Sequence, residues 1–344
     1  MIKIYTDRTH ITNNRKYLSD LLRPLIPNKN LKKYGLEDDE VKLVNDIESC
    51  DVILLPLSWN YYLKYNKKRE ADNFIKKANL INKKILIWFT GDYFCLKKSN
   101  NIISIRQSCY KSMEIENEFA LPVFINDPFQ NLRINKIKHS KKLEKPSIGF
   151  CGQVDNSLIR TFFKSILRFQ KNIKYYLGYS HWYPEKIIPP TYYRKIVLDQ
   201  IENNKQIDTQ FIRRKFYHGR DINEKEAKKA FLNNILKTNY TICIRGTGNF
   251  SKRFYETLAL GRIPIYVNLD SKLPFQDIIN WKQHVVWVES YEIPNIVNKV
   301  LSFHNALTKE EFIELQESNR ILWQQYLSFS GFYKKLIYHV KDII

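Results

Sequence analysis

The sequence predicts an α/β protein of two domains, each a doubly wound parallel β-sheet covered by helices. Three observations support this fold class. The chain has 344 residues, 44% hydrophobic and 26% charged, which is a globular composition in a chain long enough for two cores. Short apolar runs alternate with helical patterns in both halves, as in parallel sheets. A basic segment separates the two series.

The first series lies before residue 125. The runs predicted to be strands are residues 1–6, 51–56, 83–89 and 101–105, and the segment from Trp59 to Ala78 predicts a helix between the second and third. We therefore predict a first domain over residues 1–128.

The basic segment, residues 129–146, contains six Lys or Arg residues against one acidic residue, Glu144, and has little apolar periodicity. These features are typical of a solvated connection between domains. We predict that it is the interdomain linker.

The second series begins with a strand over residues 147–152 and an amphipathic helix from about residue 157 to 169. Its later members are a strand ending at Arg245, a helix from Ser251 and a strand over residues 263–267. The rest is mainly helical, over residues 294–303, 308–326 and 332–344. We predict a second domain over residues 147–328 and a basic, amphipathic helix over 329–344. This last helix is expected to pack back on the first domain, with docking on a membrane as the alternative.

The net charge of +21 indicates a surface that attracts polyanions: nucleic acid, anionic lipid or phosphorylated small molecules. Nucleic acid is disfavoured, since the chain has no recognised binding motif. The N-terminus reads as a strand and not as a secretory signal, no apolar run is long enough to span a membrane, and five scattered cysteines predict reduced thiols. We expect a cytoplasmic protein.

The segment 238–281 holds the main candidate site. An apolar run reaches Arg245, breaks at Gly246, Gly248 and Asn249, and gives way to a helical pattern that opens at Ser251. Main-chain N–H groups at a helix N-terminus carry partial positive charge and bind anions. Because cations in the first helical turn oppose the helix dipole unless an anion compensates them, the sequence predicts a phosphate site.

The helix after the turn carries Lys252, Arg253 and Glu256 on roughly one face. In the functional interpretation Arg253, with Lys252 and Arg245, contacts a diphosphate, and Glu256 accepts hydrogen bonds from ribose hydroxyls. The alternative is an ordinary surface ion pair. The two upstream glycines favour the functional interpretation, since they let the backbone approach a ligand closely.

The motif Gly-x-x-x-Phe-Ser-x-Arg-Phe-x-Glu-x-Leu-x-x-Gly-x-Ile-Pro occupies residues 246–264, and Leu-Pro-Phe-x-Asp-x-Ile-Asn-Trp follows at 273–281. Together they resemble the donor-binding core of the exostosin family of glycosyltransferases. The resemblance is strong over about residues 235–285. Weaker similarities lie at residues 149–152 and at Leu322-Trp323.

The resemblance implies a GT-B fold, in which two Rossmann-like domains face each other across a cleft. It also implies a nucleotide-diphosphate sugar donor, such as a UDP-sugar, bound by the C-terminal domain with contacts from Arg253 and Glu256, and inversion at the anomeric carbon without a metal. The chain looks like a cytosolic bacterial or viral member that builds surface polysaccharide. Its expected partners are a nucleotide sugar and a glycan acceptor, with peripheral contact to an anionic membrane left open. The predicted donor-binding residues are Gly152, Arg245, Gly246, Gly248, Asn249, Ser251, Lys252, Arg253 and Glu256.

No metal or other cofactor is predicted. The sequence has no Asp-x-Asp motif after an apolar strand, and its acidic cluster, residues 37–40, reads as a solvated loop. Without a metal, the charge on the leaving group has to be met by main-chain N–H groups and cations. The turn from Gly246 supplies the former and Arg253 the latter.

Inverting transfer also needs a base for the acceptor hydroxyl. Candidates at the ends of first-domain strands are Asp7, His10 and Asp92, of which Asp92 is preferred because it follows a long apolar strand. Arg106 is either a ligand for an acidic group or a surface residue. Two other functions stay open: a fucosyltransferase-like enzyme that uses a GDP-sugar, and an inactive relative that binds sugar nucleotides.

Overall fold

A computed structural model of the chain describes residues 1–9, 17–26, 31–34, 36–37, 40–113, 115–155, 157–214 and 223–344. The chain divides into two compact units. Unit 1 comprises Met1–Pro122, Lys272–Phe275 and Gln325–Ile344, and unit 2 comprises Val123–Ser271 and Gln276–Gln324.

Unit 1 contains a parallel sheet with the strand order β2-β1-β3-β4-β5-β6. Its strands are β1 Ile2–Tyr5, β2 Val41–Val44, β3 Val52–Leu54, β4 Ile85–Phe89, β5 Ile102–Arg106 and β6 Glu118–Ala120. The four strands predicted from apolar runs are confirmed. The three central ones, β3 to β5, are buried along their whole length, which explains their almost continuous apolar sequences.

Helices α1 (Trp59–Lys64) and α2 (Lys68–Leu80) connect β3 to β4, and the last helix of the chain, Phe329–Ile343, also belongs to unit 1. There the Tyr333 hydroxyl donates a hydrogen bond to the Leu21 carbonyl at 3.3 Å. The apolar face of this last helix is buried, so its predicted packing on the first domain is confirmed and the membrane alternative for this helix is wrong.

Unit 2 contains a second parallel sheet with the order β11-β10-β9-β7-β8. Its strands are β7 Ser147–Gln153, β8 Asp208–Arg214, β9 Tyr240–Ile244, β10 Ile263–Asn268 and β11 Val286–Glu289. Because β7 pairs with both β8 and β9, the winding direction reverses between β7 and β9. In doubly wound sheets, ligands bind outside the carboxyl ends of the strands at such a switch point.

The helices of unit 2 are α3 Pro128–Leu132, α4 Leu158–Tyr176, α5 Pro190–Glu202, α6 Glu224–Leu236, α7 Lys252–Ala259, α8 Trp281–His284, α9 Ile296–Ala306 and α10 Lys309–Leu322. The last helix in unit 1 is therefore α11. The predicted fold class of two parallel-sheet α/β domains is confirmed. Strands β2 and β6 of unit 1 and strands β8 and β11 of unit 2 were not predicted.

Residues 129–146 lie with unit 2, and the two units divide at Pro122–Val123, whereas the sequence predicts a linker over 129–146. Asp127 caps α3 and pairs with Arg320 at 2.6 Å, and buried Arg262 donates to the Lys138 carbonyl at 2.7 Å. Two buried arginines, Arg320 and Arg262, thus hold the start and the middle of the basic segment on unit 2.

All five cysteines are free and buried. Among the described residues, no helix is both long enough and apolar enough to cross a bilayer.

Candidate functional site

The turn between β9 and α7 is organised around the Arg245 guanidinium. This buried side chain donates from Nε to the Gly248 carbonyl at 3.2 Å and from Nη2 to the Thr247 carbonyl at 2.9 Å. The Gly246 amide donates across the turn to the Phe250 carbonyl at 3.3 Å. In this arrangement Arg245 fixes the shape of the turn, and the phosphate contact expected of it from the sequence stays a prediction.

Glu185 supports the same guanidinium from outside the turn. Its Oε1 lies 3.2 Å from Arg245 Nη2, and its Oε2 lies 3.2 Å from Arg168 Nη1. The side chains of Glu185, Arg168 and Arg245 are each at most 15% exposed. The Glu185 carboxylate therefore faces two largely buried cations. Sequence reasoning missed Glu185 because it lies in an irregular segment far along the chain from the turn.

Asn249 attaches the turn to the segment that follows β10. Its amide Nδ2 donates to the Asp270 carbonyl at 2.9 Å, and its Oδ1 accepts from Ser271 Oγ at 2.9 Å. Since the side chain is buried and engaged at both ends, Asn249 also positions the turn.

Helix α7 begins after Ser251 without a side-chain cap. Ser251 occupies the N-cap position, but its side chain accepts no hydrogen bond from the first-turn amides, and the first turn contains no acidic residue. Lys252 and Arg253 add two cations there. This combination of uncapped N–H groups and positive charge fits the anion site that the sequence predicts.

The other face and end of α7 explain why the helix forms at this place. Phe254, Thr257 and Leu258 are buried. The helix ends in a Schellman motif: Gly261, at φ +62°, donates to the Leu258 carbonyl, and Arg262 donates to the Thr257 carbonyl, both at 2.9 Å. The helix is therefore fixed at its C-terminus by a glycine in the left-handed region.

The Arg253 guanidinium spans the two strands at the switch point. Nη2 donates to the Cys151 carbonyl on β7 at 2.6 Å, and Nη1 donates to the Ile242 carbonyl on β9 at 3.1 Å. The group lies 4.2 Å from the centre of the Phe150 ring. Burial lowers the pKa of Arg253 from its usual value, and no carboxylate of the described residues forms an ion pair with it. A positive charge is therefore held at the switch point with little compensation.

Gly152 makes the position of Arg253 sterically accessible. A Cβ atom at residue 152 would lie 2.5 Å from Nη2 of Arg253, well inside normal contact distance. The glycine predicted to contact the donor thus has a definite structural role in the site, since it leaves space for the guanidinium against β7.

A second guanidinium, which sequence reasoning missed, bridges the same two strands at their carboxyl ends. Arg194 on α5 donates from Nη1 to the Gln153 carbonyl at 3.0 Å and from Nη2 to the Arg245 carbonyl at 2.9 Å. A Cβ on Gly246 would lie 3.6 Å from Arg194 Nη2, an ordinary contact. No local pattern marks Arg194, because its role depends on how α5 packs at the ends of β7 and β9.

Glu256 lies on α7 with 15% of its side chain exposed. Its partner is Lys252, whose Nζ lies 3.5 Å from Oε1 and whose side chain is 57% exposed. Burial raises the pKa of the Glu256 carboxyl, and Lys252 and Arg253 lower it less. The alternative of an ordinary surface ion pair therefore describes Lys252, whose side chain is exposed, but not Glu256, which is a poorly solvated carboxylate on α7.

The candidate bases lie in unit 1. Asp92 is exposed and follows β4 after Gly91, whose φ is +92°. Asp7 follows β1, and its Oδ1 accepts hydrogen bonds from the amide and hydroxyl of Thr9 at 2.9 and 2.7 Å. The switch point of this sheet lies between β1 and β3. Asp7 follows β1 and therefore lies at the switch point, whereas Asp92 follows β4, the strand beyond β3. His10 lies outside the described residues.

Arg106 has neither of the roles considered from the sequence. Its Nε lies 2.7 Å from Oε1 of Glu118, its Nη1 donates to the Cys95 carbonyl at 2.8 Å, and both side chains are almost wholly buried. Arg106 and Glu118 thus form an internal ion pair. A surface position and ligand binding are both wrong, because the apolar core of unit 1 encloses the side chain.

Within the described part of the chain, no group of three or more His, Cys, Asp or Glu residues is placed to hold a metal ion. The predicted acidic loop at residues 37–40 falls partly outside that part, since residues 38 and 39 are not described.

Residues 185–303 match the family model "Exostosin GT47 domain". The resemblance predicted over residues 235–285 is confirmed, and the matched segment contains the turn, α7 and Glu185.

Curated relatives match over limited segments. Exostosin-1 of Drosophila melanogaster is 30% identical over 114 residues, 32% of this chain and 14% of that protein. Exostosin-1 of Bos taurus is 29% identical over 92 residues, 26% of this chain and 12% of that protein. "Probable glucuronosyltransferase 47 A" of Physcomitrium patens is 30% identical over 91 residues, 26% of this chain and 19% of that protein. The chain thus matches less than a fifth of the length of each.

Two solved structures show a distant likeness. The crystal structure of TarM aligns over 83% of this chain and 54% of its own, with a TM-score of 0.39 and 11% identity. The structure of Anabaena Alr3699/HepE in complex with UDP and glucose aligns over 100% of both chains, with a TM-score of 0.37 and 8% identity. Neither likeness is close enough to carry a functional conclusion.

Proposed function

We propose that the chain is a glycosyltransferase of GT-B type whose donor diphosphate binds at the β7/β9 switch point of unit 2. The observation that carries this proposal is the weakly compensated charge of Arg253, which bridges strands β7 and β9 beside the uncapped amides of α7. A diphosphate supplies negative charge and several acceptor oxygens at that place. The exostosin match over residues 185–303 supports sugar transfer as the reaction.

Glu256 is the proposed ribose ligand. Its carboxylate is mostly withdrawn from water, yet its ion pair is a long one to an exposed lysine. Two neighbouring sugar hydroxyls donate hydrogen bonds to such a carboxylate and replace the water that it has lost. The side chain therefore complements a nucleoside directly attached to the diphosphate.

The proposed reaction is an inverting displacement. An acceptor hydroxyl attacks the anomeric carbon while the bond from that carbon to the diphosphate oxygen breaks. The hydroxyl proton passes to a carboxylate base, and the diphosphate leaves with its negative charge stabilised by Arg253 and by the amides that precede α7. In the proposed reaction, these fixed cations and amides stabilise the leaving diphosphate in place of a metal ion.

The base is proposed to be Asp92, and the switch-point position of Asp7 makes it the alternative. The donor is proposed to be a UDP-sugar and the acceptor a glycan hydroxyl, in cytoplasmic synthesis of surface polysaccharide in a bacterial or viral setting. A GDP-sugar enzyme of fucosyltransferase type and an inactive sugar-nucleotide binder are the competing functions.

Titration calorimetry with UDP and GDP tests the donor site. We expect UDP to bind the wild type, Glu256→Ala to weaken binding at least about tenfold, and Glu310→Ala, on the exposed start of α10, to bind like the wild type. Circular dichroism checks that each variant is folded. Equal UDP affinity of the wild type and Glu256→Ala would contradict the site.

Two further outcomes separate the competing functions. Stronger binding of GDP than of UDP would favour the fucosyltransferase-like enzyme. Tight UDP binding without release of UDP from any of a panel of UDP-sugars and glycan acceptors would favour the inactive relative.

A further inference from the structure

Helix α4 of unit 2 presents its apolar side to solvent. None of its residues is buried, although it carries many large apolar side chains. More than half of the surface of each of the following is exposed: Leu158, Ile159, Phe162, Phe163, Leu167 and Phe169. Single exposed apolar residues are common on proteins, but a continuous apolar helix face is not and marks an interaction surface.

The polar side of the same helix faces the protein. Lys164 pairs with Asp155 at 2.6 Å, and Arg168 pairs with Glu185 at 3.2 Å. One turn later, Asn172 exchanges two hydrogen bonds with the main chain of Glu185, at 2.7 and 3.0 Å. Polar contacts therefore hold α4 on unit 2 and leave its apolar face outward, opposite to a helix that covers a core.

The charge on α4 identifies the kind of partner. Its basic residues are Arg160, Lys164, Arg168, Lys171 and Lys174, and residues 158–177 contain no acidic residue. Arg160, Lys171 and Lys174 are exposed, and the whole chain carries a net charge of +21. A second copy of the chain would bring the same positive charges to the same face and be repelled. An anionic lipid surface accepts both the apolar side chains and the cations.

We propose that α4 docks unit 2 on an anionic bilayer, with the helix axis in the plane of the membrane and Phe162 and Phe163 at the boundary between headgroups and acyl chains. The exposed cations beside the apolar face then contact lipid headgroups. Helix α11, the other basic amphipathic helix of the chain, does not compete for this role because its apolar face is buried within unit 1. The proposal is independent of sugar transfer, since lipid binding requires no catalysis.

Co-sedimentation with vesicles tests the docking. We expect the full chain to bind vesicles of phosphatidylcholine mixed with phosphatidylglycerol, to bind phosphatidylcholine alone weakly, and to lose binding as salt is added. The double variant Phe162→Ser/Phe163→Ser should partition at least about tenfold less, because two large aromatic side chains no longer leave water. Leu80→Ser, at the 85% exposed end of α2, is the matched control and should bind like the wild type.

A fluorescent label locates the contact. All five native cysteines are buried, so Phe163→Cys provides an accessible thiol for an environment-sensitive dye. We expect a blue shift on anionic vesicles from a dye at residue 163 and none from the same dye on Leu80→Cys.

Four results would overturn the proposal. The first is absence of binding to anionic vesicles, and the second is an equal loss of binding in the Leu80→Ser control. The third is a dimer in sedimentation velocity that the Phe162→Ser/Phe163→Ser variant dissociates, which would show that a second copy covers the face. The fourth is a wild type that does not bind vesicles together with a marked loss of thermal stability in that variant, which would show that the protein itself covers the face.

Discussion

Replacement of Gly152 by alanine tests whether Arg253 must lie against β7. A Cβ at residue 152 would be 2.5 Å from Arg253 Nη2, whereas ordinary contacts begin at 3.4 Å. The guanidinium has to retreat by the difference, about 0.9 Å, from a position in which Nη2 is 2.6 Å from the Cys151 carbonyl. That hydrogen bond then lengthens by up to the same amount, beyond the range of roughly 2.7–3.2 Å that N–H···O hydrogen bonds occupy.

The size of the effect follows from the bond that is lost. A hydrogen bond from a charged group contributes roughly 1.5–3 kcal/mol to the free energy of unfolding. Alanine offsets roughly 0.4–1 kcal/mol of that loss, because it restricts the unfolded chain more than glycine does. We expect Gly152→Ala to lower the free energy of unfolding by about 1–2 kcal/mol. Because the displaced guanidinium no longer faces the diphosphate, UDP affinity should fall at least about tenfold.

Urea denaturation and calorimetry with UDP measure the two effects. Gly246→Ala is the control for stability, since a Cβ there meets only Arg194 Nη2 at 3.6 Å. In an Arg253→Ala background, Gly152→Ala should no longer destabilise the protein and should instead raise the free energy of unfolding by roughly 0.4–1 kcal/mol, because only its unfolded-state effect remains. An equal loss of stability in both backgrounds, or wild-type UDP affinity in Gly152→Ala, would show that Gly152 does not act through Arg253.

Three further predictions concern carboxylates. Burial raises the pKa of the Glu256 carboxyl in the folded protein above its value in the unfolded chain, so the charged carboxylate destabilises the folded state. The free energy of unfolding therefore falls as the pH rises from the unfolded-state pKa toward the folded-state pKa. Glu256→Gln should be more stable than the wild type in urea denaturation at neutral pH, and equal or lower stability would contradict this. Glu185→Ala removes a carboxylate that faces two partly buried cations, one of them Arg245, and should cost about 3 kcal/mol of unfolding free energy; a cost near zero would contradict its structural role. If Asp92 is the base, Asp92→Asn lowers kcat by about 10²–10⁴ with the donor KM unchanged, and loss of activity in Asp7→Asn alone would assign the base to Asp7.

The central strands of both sheets were predictable because they are buried on both faces, so their sequences are apolar throughout. Strand β8 was not, since it lies at an edge of its sheet and its sequence, DTQFIRR, alternates between half-buried and exposed positions. Strand β11, VWVE, has only four residues and lies in a region that the sequence predicts to be mainly helical. Short or half-exposed strands give weak patterns, and only pairing with a neighbour defines them.

Part of the site was predictable for a local reason. The glycines, the cations and Glu256 lie within one turn and one helix, so their spacing places them together. The bridging by Arg194 and the pairing of Glu185 with Arg245 join segments far apart in sequence, and no local pattern reveals them. The amphipathic character of α4 was also predictable, but its outward orientation was not, because periodicity does not say which face the rest of the fold covers.

A crystal structure of the protein soaked with UDP would show directly where the donor nucleotide binds. We predict that the diphosphate lies at the carboxyl ends of β7 and β9, within hydrogen-bonding distance of the Arg253 guanidinium and of the amides preceding α7, with both ribose hydroxyls on Glu256. A nucleotide bound elsewhere in the protein, or bound here without contact to Arg253 and Glu256, would contradict the account.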